Sequence, residues 1–235
     1  MENLKPGSAI NLWCGTLGRQ VLLREVVDAI PNTNPADWWT YDNPLEKKLT
    51  FNNQVMVPAP IAHLLALVNS KAIVDSVSRI TEIPNLRADP TLYGAGLNVG
   101  KPGDKLDLHQ DLDLHPKTGM ERRIGMTIFL NDEWFRNWNG DLQFWTGKEA
   151  PESMAARVWP RMGQVVFFEP STFHGWPDPL NCAEGYKRIT MQSFYYTVPR
   201  SSVAKRRKAH FAPRPGDVPN AELDKLRSQR ETRLI

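Results

Sequence analysis

The chain has 235 residues, 41% of them apolar and 23% charged, with a formal net charge of +3. That length suits one domain, or one domain with a tail, and the composition suits a globular protein with a core of its own rather than a disordered or collagen-like chain. The two cysteines, Cys14 and Cys182, make neither a disulfide framework nor a Cys-x-x-Cys metal spacing.

No basic segment followed by an apolar run stands between Met1 and Leu12, and no apolar stretch approaches the roughly 18 residues of a membrane span. The expectation is a cytoplasmic protein with no membrane partner. The charge is uneven. Residues 200–235 hold ten Lys/Arg against four Asp/Glu, so the tail carries +6 and residues 1–199 carry −3. The run Lys205-Arg206-Arg207-Lys208 reads as a solvated tail, and nucleic acid is not the expected partner.

In chain order, residues 19–30 read as an amphipathic helix ended by Pro31. Residues 31–53, rich in Pro, Asn, Asp and Trp, read as loop. Residues 60–68 are a second helix with Pro60 in its first turn, and 72–80 continue the helical pattern. Gly94, Gly96 and Gly100 have the wrong spacing for a dinucleotide loop, and Pro102-Gly103 follows where its helix should start; they read as a turn between strands. From Leu106 the chain turns β, with strands expected over 105–111, 122–130, 141–146, 156–159, 163–169 and 187–197. Many short strands with turn signals between them indicate a barrel or sandwich such as the jelly roll, with the N-terminal helices packed outside. The expected fold class is therefore mainly β within α+β. One domain would span 1–199, helical over 1–90 and jelly roll over 91–199. A basic tail over 200–235 would wrap the surface and contain a polar helix from Ala221 to Arg233.

Residues 106–115, Leu-Asp-Leu-His-Gln-Asp-Leu-Asp-Leu-His, alternate strictly. On a strand this puts His109 and Asp111 side by side on one face. An imidazole and a carboxylate so placed can share a metal ion, and a second histidine would complete a triad that leaves coordination positions open. The bland alternative is an exposed strand with its polar residues in water. Among His63, His115, His174 and His210, the best third ligand is His174. It follows the apolar run 165–168 and a turn at 169–171, and stands beside Gly175, where backbone can approach a ligand. His115 has the right parity, but Pro116 ends its strand. His63 lies in a helix and His210 in the tail. Further on, Arg188, Thr190, Gln192 and Phe194 would share a strand face. A buried arginine there needs an anion, and its planar fork matches a carboxylate, with Thr190 adding a hydroxyl. An ordinary structural salt bridge is the alternative.

Together these pieces resemble the 2-oxoglutarate/Fe(II)-dependent dioxygenases, and most closely their prolyl 4-hydroxylase-like branch. The resemblance rests on His109-x-Asp111, His174 and Arg188-x-Thr190. Gly103, Phe129-Leu130-Asn131-Asp132 with Trp134, 140–145, 173–179 and the Tyr-rich strand after Arg188 extend it, over about residues 92–198. It implies that His109, Asp111 and His174 bind Fe(II). It implies that 2-oxoglutarate is a cosubstrate consumed with O2, its far carboxylate on Arg188 with help from Thr190. Where relatives place a lysine or tyrosine, this chain offers Thr127 and Phe129; Thr127 is the expected extra ligand of the cosubstrate, and Phe129 cannot bond a carboxylate. Asn98, Gln192, Trp176 and Phe129 are expected to line the substrate pocket. Asn139 stands where a second glycine is common.

The resemblance implies hydroxylation of an unactivated C–H bond, releasing succinate and CO2. A small molecule (an amino acid, a sugar-like metabolite or a natural product) is the first expectation. A peptidyl or prolyl hydroxylase is the second. Asp111 argues against a halogenase. Phe194, standing where nucleic-acid demethylases of the superfamily carry a second arginine, argues against those. Oligomeric state is not legible.

Overall fold

The computed structural model describes residues 2–3, 11–53, 57–89, 91–202 and 208–232. Lys205, Arg206 and Arg207 of the basic run lie outside the described residues. The elements are β1 (Glu2–Asn3), β2 (Leu12–Thr16), α1 (Gln20–Ala29), β3 (Trp38–Asn43), β4 (Glu46–Phe51), α2 (Ala59–Val68) and α3 (Lys71–Thr81). Then follow β5 (Gly96–Gly100), β6 (Lys105–Gln110), β7 (Glu121–Phe129), β8 (Leu142–Trp145), β9 (Met154–Val158), β10 (Gln164–Phe168), β11 (Phe173–Trp176), β12 (Arg188–Thr197), β13 (His210–Phe211) and α4 (Ala221–Thr232). No single described helix is long and apolar enough to cross a membrane.

Every strand pairing is antiparallel, and the strands form one continuous curled sheet in the order β1-β2-β10-β7-β12-β5-β4-β6-β11-β8-β9. The sheet folds over on itself at β4, which pairs with β5 through Leu49–Val99 and then with β6 through Glu46–Leu106. The result is the expected jelly roll: the β5 half faces the β6-β11-β8-β9 half across an interior. The helices cover the outer face of the first half. Leu23, Val26 and Ala29 of α1, Ile61 and Leu64 of α2, and Val74 and Val77 of α3 bury against Leu97, Val99, Ile124, Met126, Ile128, Val165 and Met191. Their 3–4 residue spacing meets the period-two outer face of the strands. A second apolar cluster, Leu12, Phe129, Leu142, Phe144, Val158, Val166 and Phe168, fills the interior.

Two departures from the sequence expectation concern what flanks the site. The segment read as loop, 31–53, forms the β3–β4 hairpin, and the region expected to be helical contributes β2 as well. The Asn and Pro that suggested a loop make the hairpin turn, where the Asn43 side chain accepts from the backbone N–H groups of Leu45 and Glu46. The charged residues of β4 hid it, because Glu46, Lys48 and Thr50 alternate with Leu49 and Phe51, which face the helices. Gly96 lets this strand dock: a Cβ there would lie 2.1 Å from the Phe51 carbonyl oxygen, and its φ is +107°. The second departure is the C-terminal segment. It does more than wrap the surface, because β13 adds to the edge of β6 and α4 packs beside it.

Candidate metal centre and its surroundings

His109 on β6 and His174 on β11 stand directly opposite each other in register, with ring centroids 4.4 Å apart. Asp111 follows β6, its backbone N–H donating to the Pro170 carbonyl. Asp111 Oδ1 lies 3.8 Å from His109 Nε2, and Oδ2 lies 3.6 Å from His174 Nε2. All three residues are buried, and their ligand atoms lie within 4.8 Å of one another, a cluster able to hold one metal ion. Backbone carbonyls fix which ring nitrogens face inward. His109 Nδ1 donates to the Asp107 carbonyl at 3.0 Å and His174 Nδ1 to the Thr172 carbonyl at 2.8 Å. Each imidazole therefore keeps its Nε2 lone pair for the centre. Burial, with the neighbouring His174 adding, pushes His109 down to about 3, and burial lowers His174 as well. Both rings are neutral at pH 7, as metal ligation requires.

Asp111 supplies the sharpest test of fit. Its Oδ2 is buried with no hydrogen-bond partner, a costly state for a carboxylate unless a cation completes it. Burial opposes its charge, but His174, Arg122 and His109 outweigh this and hold the carboxyl below its usual range. Two imidazole nitrogens and one carboxylate, converging from one side, suit Fe(II) with open positions. Phe168 and Phe144 pack against His174, and Phe211 of β13 stacks on His109 at 5.1 Å. The two imidazoles are thus wedged between apolar rings.

Arg188 enters the interior from the start of β12. It is 4% exposed, and its Nε donates to the Gly140 carbonyl at 2.7 Å. Its guanidinium lies 5.3 Å from the Phe129 ring centroid and 4.9 Å from that of Trp176. It forms no ion pair among the described residues; burial pushes its pKa down to about 9, and the charge of Asp141 only partly opposes this. Asp141 is itself held by Arg157 at 2.6 Å. The structural salt bridge weighed for Arg188 is therefore not formed.

The other expected pocket residues share this interior face. Thr190 pairs with Phe129 on one side and Asn98 on the other, and Gln192 pairs with Thr127. Thr50 donates to Asn98 Oδ1 at 2.8 Å, and Asn98 Nδ2 reaches Gln192 Oε1 at 3.5 Å. Thr127 lies one strand-row further from Arg188 than Phe129 does.

The competing histidines have other partners. His115 Nε2 meets Thr91 Oγ1 at 2.7 Å, and its Nδ1 accepts from the backbone of Lys117 and Thr118, so it holds a turn together. His63 is exposed on α2. His210 Nε2 donates to the Glu149 carbonyl. Gly175 has a different use from the one expected: a Cβ there would lie 2.7 Å from the Leu106 carbonyl, so it admits the neighbouring strand rather than a ligand. Asn139 adopts φ 58°, ψ −153°, a glycine-like conformation. Its side chain donates to Pro179 and its carbonyl accepts from Trp134 Nε1, which offsets the strain.

Three groups around the centre had no usable sequence signal. Arg122 lies over the Phe194 ring at 3.6 Å, with NH1 3.9 Å from Asp111 Oδ1. A bulge between the Ile124–Tyr195 and Arg122–Tyr196 pairs turns it inward. Lys48 comes from the hairpin read as loop. Phe211 comes from the tail. A strand parity reading misses the first, and the other two belong to segments without an apolar pattern.

A family model described as the 2OG-Fe(II) oxygenase superfamily matches residues 95–196. No curated protein matches. Among solved structures, a Pseudomonas putida prolyl-4-hydroxylase is similar with a TM-score of 0.58 at 12% identity, over 82% of this chain and 95% of that one. The non-heme alpha-ketoglutarate-dependent carbocyclase SnoK from nogalamycin biosynthesis is similar with 0.57 at 15%, over 95% and 91%. HygX from Streptomyces hygroscopicus, with nickel, 2-oxoglutarate and hygromycin B bound, is similar with 0.53 at 12%, over 85% and 86%. At these identities the structural likeness is one of fold.

Proposed function

We propose that this chain, which belongs to the 2OG-Fe(II) oxygenase superfamily, hydroxylates an unactivated C–H bond of a small molecule such as an amino acid, a sugar-like metabolite or a natural product. The superfamily works with Fe(II), 2-oxoglutarate and O2, and the chemistry they supply is oxidation of a C–H bond with release of succinate and CO2. In this reading His109, Asp111 and His174 hold the iron. Arg188 binds the far carboxylate of 2-oxoglutarate, with Thr190 and then Thr127 as hydroxyl donors along the same face. Asn98 and Gln192 offer amides to the substrate, and Phe129 and Trp176 keep water away from the Arg188–carboxylate pair. β13 and α4 act as part of the same catalytic domain.

The observation that carries the proposal is a pair of groups in one interior left unmatched among the described residues: a buried Asp111 oxygen with no hydrogen-bond partner and a buried Arg188 with no ion pair. One calls for a cation and the other for a carboxylate. The small-molecule reading is supported by the way the β3–β4 hairpin and the β13–α4 segment close against the core rather than forming a separate peptide-binding module. A peptidyl or prolyl hydroxylase is the second reading, favoured by likeness over nearly the whole length of the P. putida prolyl-4-hydroxylase. The test is succinate release with Fe(II) and O2 across free amino acids, sugars, natural products, free proline and proline-rich peptides. Stimulation by peptides alone overturns the small-molecule reading. Absence of any iron-dependent 2-oxoglutarate turnover overturns both.

A further inference from the structure

Lys48 is a cation on the inward side of the sheet that the reading above does not use. It sits where β4 leaves β5 for β6. It directly precedes Leu49, whose partner Val99 is followed by Gly100, the residue that pairs with Arg188. Lys48 shares the inward face of β4 with Thr50, two residues on, whose hydroxyl donates to Asn98 Oδ1 at 2.8 Å. Burial lowers the Lys48 pKa, with Arg188 and Arg230 adding, while Glu46 and Asp111 oppose.

Its neighbours do not satisfy it. Glu46 Oε2 is 4.0 Å away, beyond hydrogen-bond distance, and the other Glu46 oxygen is taken by Arg230 of α4. The Tyr41 ring lies 5.2 Å from Nζ. Among the described residues Lys48 makes no hydrogen bond, and its side chain keeps 15% of its surface open. The formal charges around it close without it. In the oxygenase reading, Fe(II), Asp111, the dicarboxylate and Arg188 would sum to zero. Arg230 meets Glu46, and Arg122 acts on Asp89 as well as Asp111. Lys48 has only the long 4.0 Å ion pair to Glu46, which it shares with Arg230, so the three groups leave one positive charge over.

We infer that Lys48 binds a carboxylate of the primary substrate, which makes the substrate a small organic acid. One ammonium with three donors and one surplus charge suits a monoanion; a phosphate dianion would call for further donors. The inference rests on the oxygenase reading and deepens it. In that arrangement the acid is anchored on the β4 side of the metal while 2-oxoglutarate is anchored on Arg188, so the two anions do not compete for one cation.

The test uses the full chain loaded anaerobically with Mn(II) and 2-oxoglutarate, each binding step followed by calorimetry. N-acetyl amino acids and their matching primary amides are then titrated in. At least one acid is expected to bind ten-fold or more tightly than its amide. Lys48→Met should bring that ratio to within about two-fold, and Lys48→Arg should preserve it. Equal binding of acid and amide, or no binding of either, overturns the assignment. So does a preference that survives Lys48→Met, or a Lys48→Met protein whose main loss is affinity for 2-oxoglutarate. A chain that fails to load with Mn(II) and 2-oxoglutarate sinks the oxygenase reading itself, and this inference with it.

Discussion

Replacing Arg188 by Met should move two measurements in opposite directions. Without cosubstrate, Arg188 is a buried cation that, among the described residues, has one hydrogen bond, to Gly140, and no ion pair. Its folded pKa of about 9 lies below its ordinary 12.5, so folding disfavours its charged form. The resulting destabilisation is fully present below about pH 9 and is relieved only as pH rises above that. A methionine of similar length removes the charge and keeps the contacts with Phe129 and Trp176. Apolar replacement of an unfavourably buried ion stabilises by about 1–4 kcal/mol, and an orphaned Gly140 carbonyl costs about 1–3 kcal/mol. Taken at their centres the two leave the unliganded variant slightly more stable, within a range from about 2 kcal/mol less to about 3 kcal/mol more, or roughly −8 to +12 °C in Tm for a chain of this size.

With cosubstrate the sign reverses. A buried carboxylate that loses its cation costs about 3–5 kcal/mol, which is a loss of roughly two to four powers of ten in 2-oxoglutarate affinity. Thermal unfolding without ligand and anaerobic calorimetry with Mn(II) and 2-oxoglutarate read the two effects separately. Affinity within three-fold of the unmodified protein would refute the assignment of Arg188 to the cosubstrate. A Tm lowered by more than roughly 8 °C would show that the guanidinium is structural after all.

Three further outcomes are expected. His174→Ala should abolish metal binding while the protein still folds, whereas His115→Ala should keep the metal and lose stability, because His115 holds the 115–118 turn; metal titration by calorimetry with circular dichroism distinguishes them, and retained metal in His174→Ala would refute the ligand set. For pH, His109 is neutral when folded, with a pKa near 3 against 6.5 unfolded; the unfolded state binds more protons in that window, so stability of the metal-free protein should fall as pH drops from about 6.5 toward 3, and a urea midpoint that stays flat from pH 6.5 to 4.5 would contradict the buried neutral imidazole. Phe211→Ala should lower metal affinity about 10- to 100-fold by freeing the His109 ring, in addition to a cavity cost of about 3–5 kcal/mol, and an unchanged metal affinity would mean that β13 contributes stability alone.

Much of the fold is local in origin and legible in the chain. The α1–α3 segments declare themselves by apolar spacing, and β6, β7, β8, β9, β10 and β12 by short alternating or apolar runs between turn residues. The pairing of His109 with Asp111 is local too, since two residues apart on an extended chain share a face. His174 and Arg188 could be picked out as candidates from their strand contexts. Their partners could not, because opposition across strands depends on register, and register is set by the whole sheet.

What only the tertiary structure decided has three physical roots. Parity fails where a bulge inserts a residue. The shift between the His174–His109 and Trp176–Leu106 pairs puts three residues of β6 opposite two of β11, and the bulge on β7 turns Arg122 from the helix side to the metal side. Polarity misleads where a strand turns charge inward: Glu46 and Lys48 made β4 read as loop, although its inward face borders the site. Distance along the chain hides contacts made by segments with weak patterns of their own, as when β13 brings Phe211 onto His109 and α4 brings Arg227 to Asp107 and Arg230 to Glu46. The sequence by itself determined which residues could hold a metal and an acid. The curled sheet determined which of them meet, and it added Lys48, Arg122 and Phe211 to them, because those three act across space and leave no period in the chain.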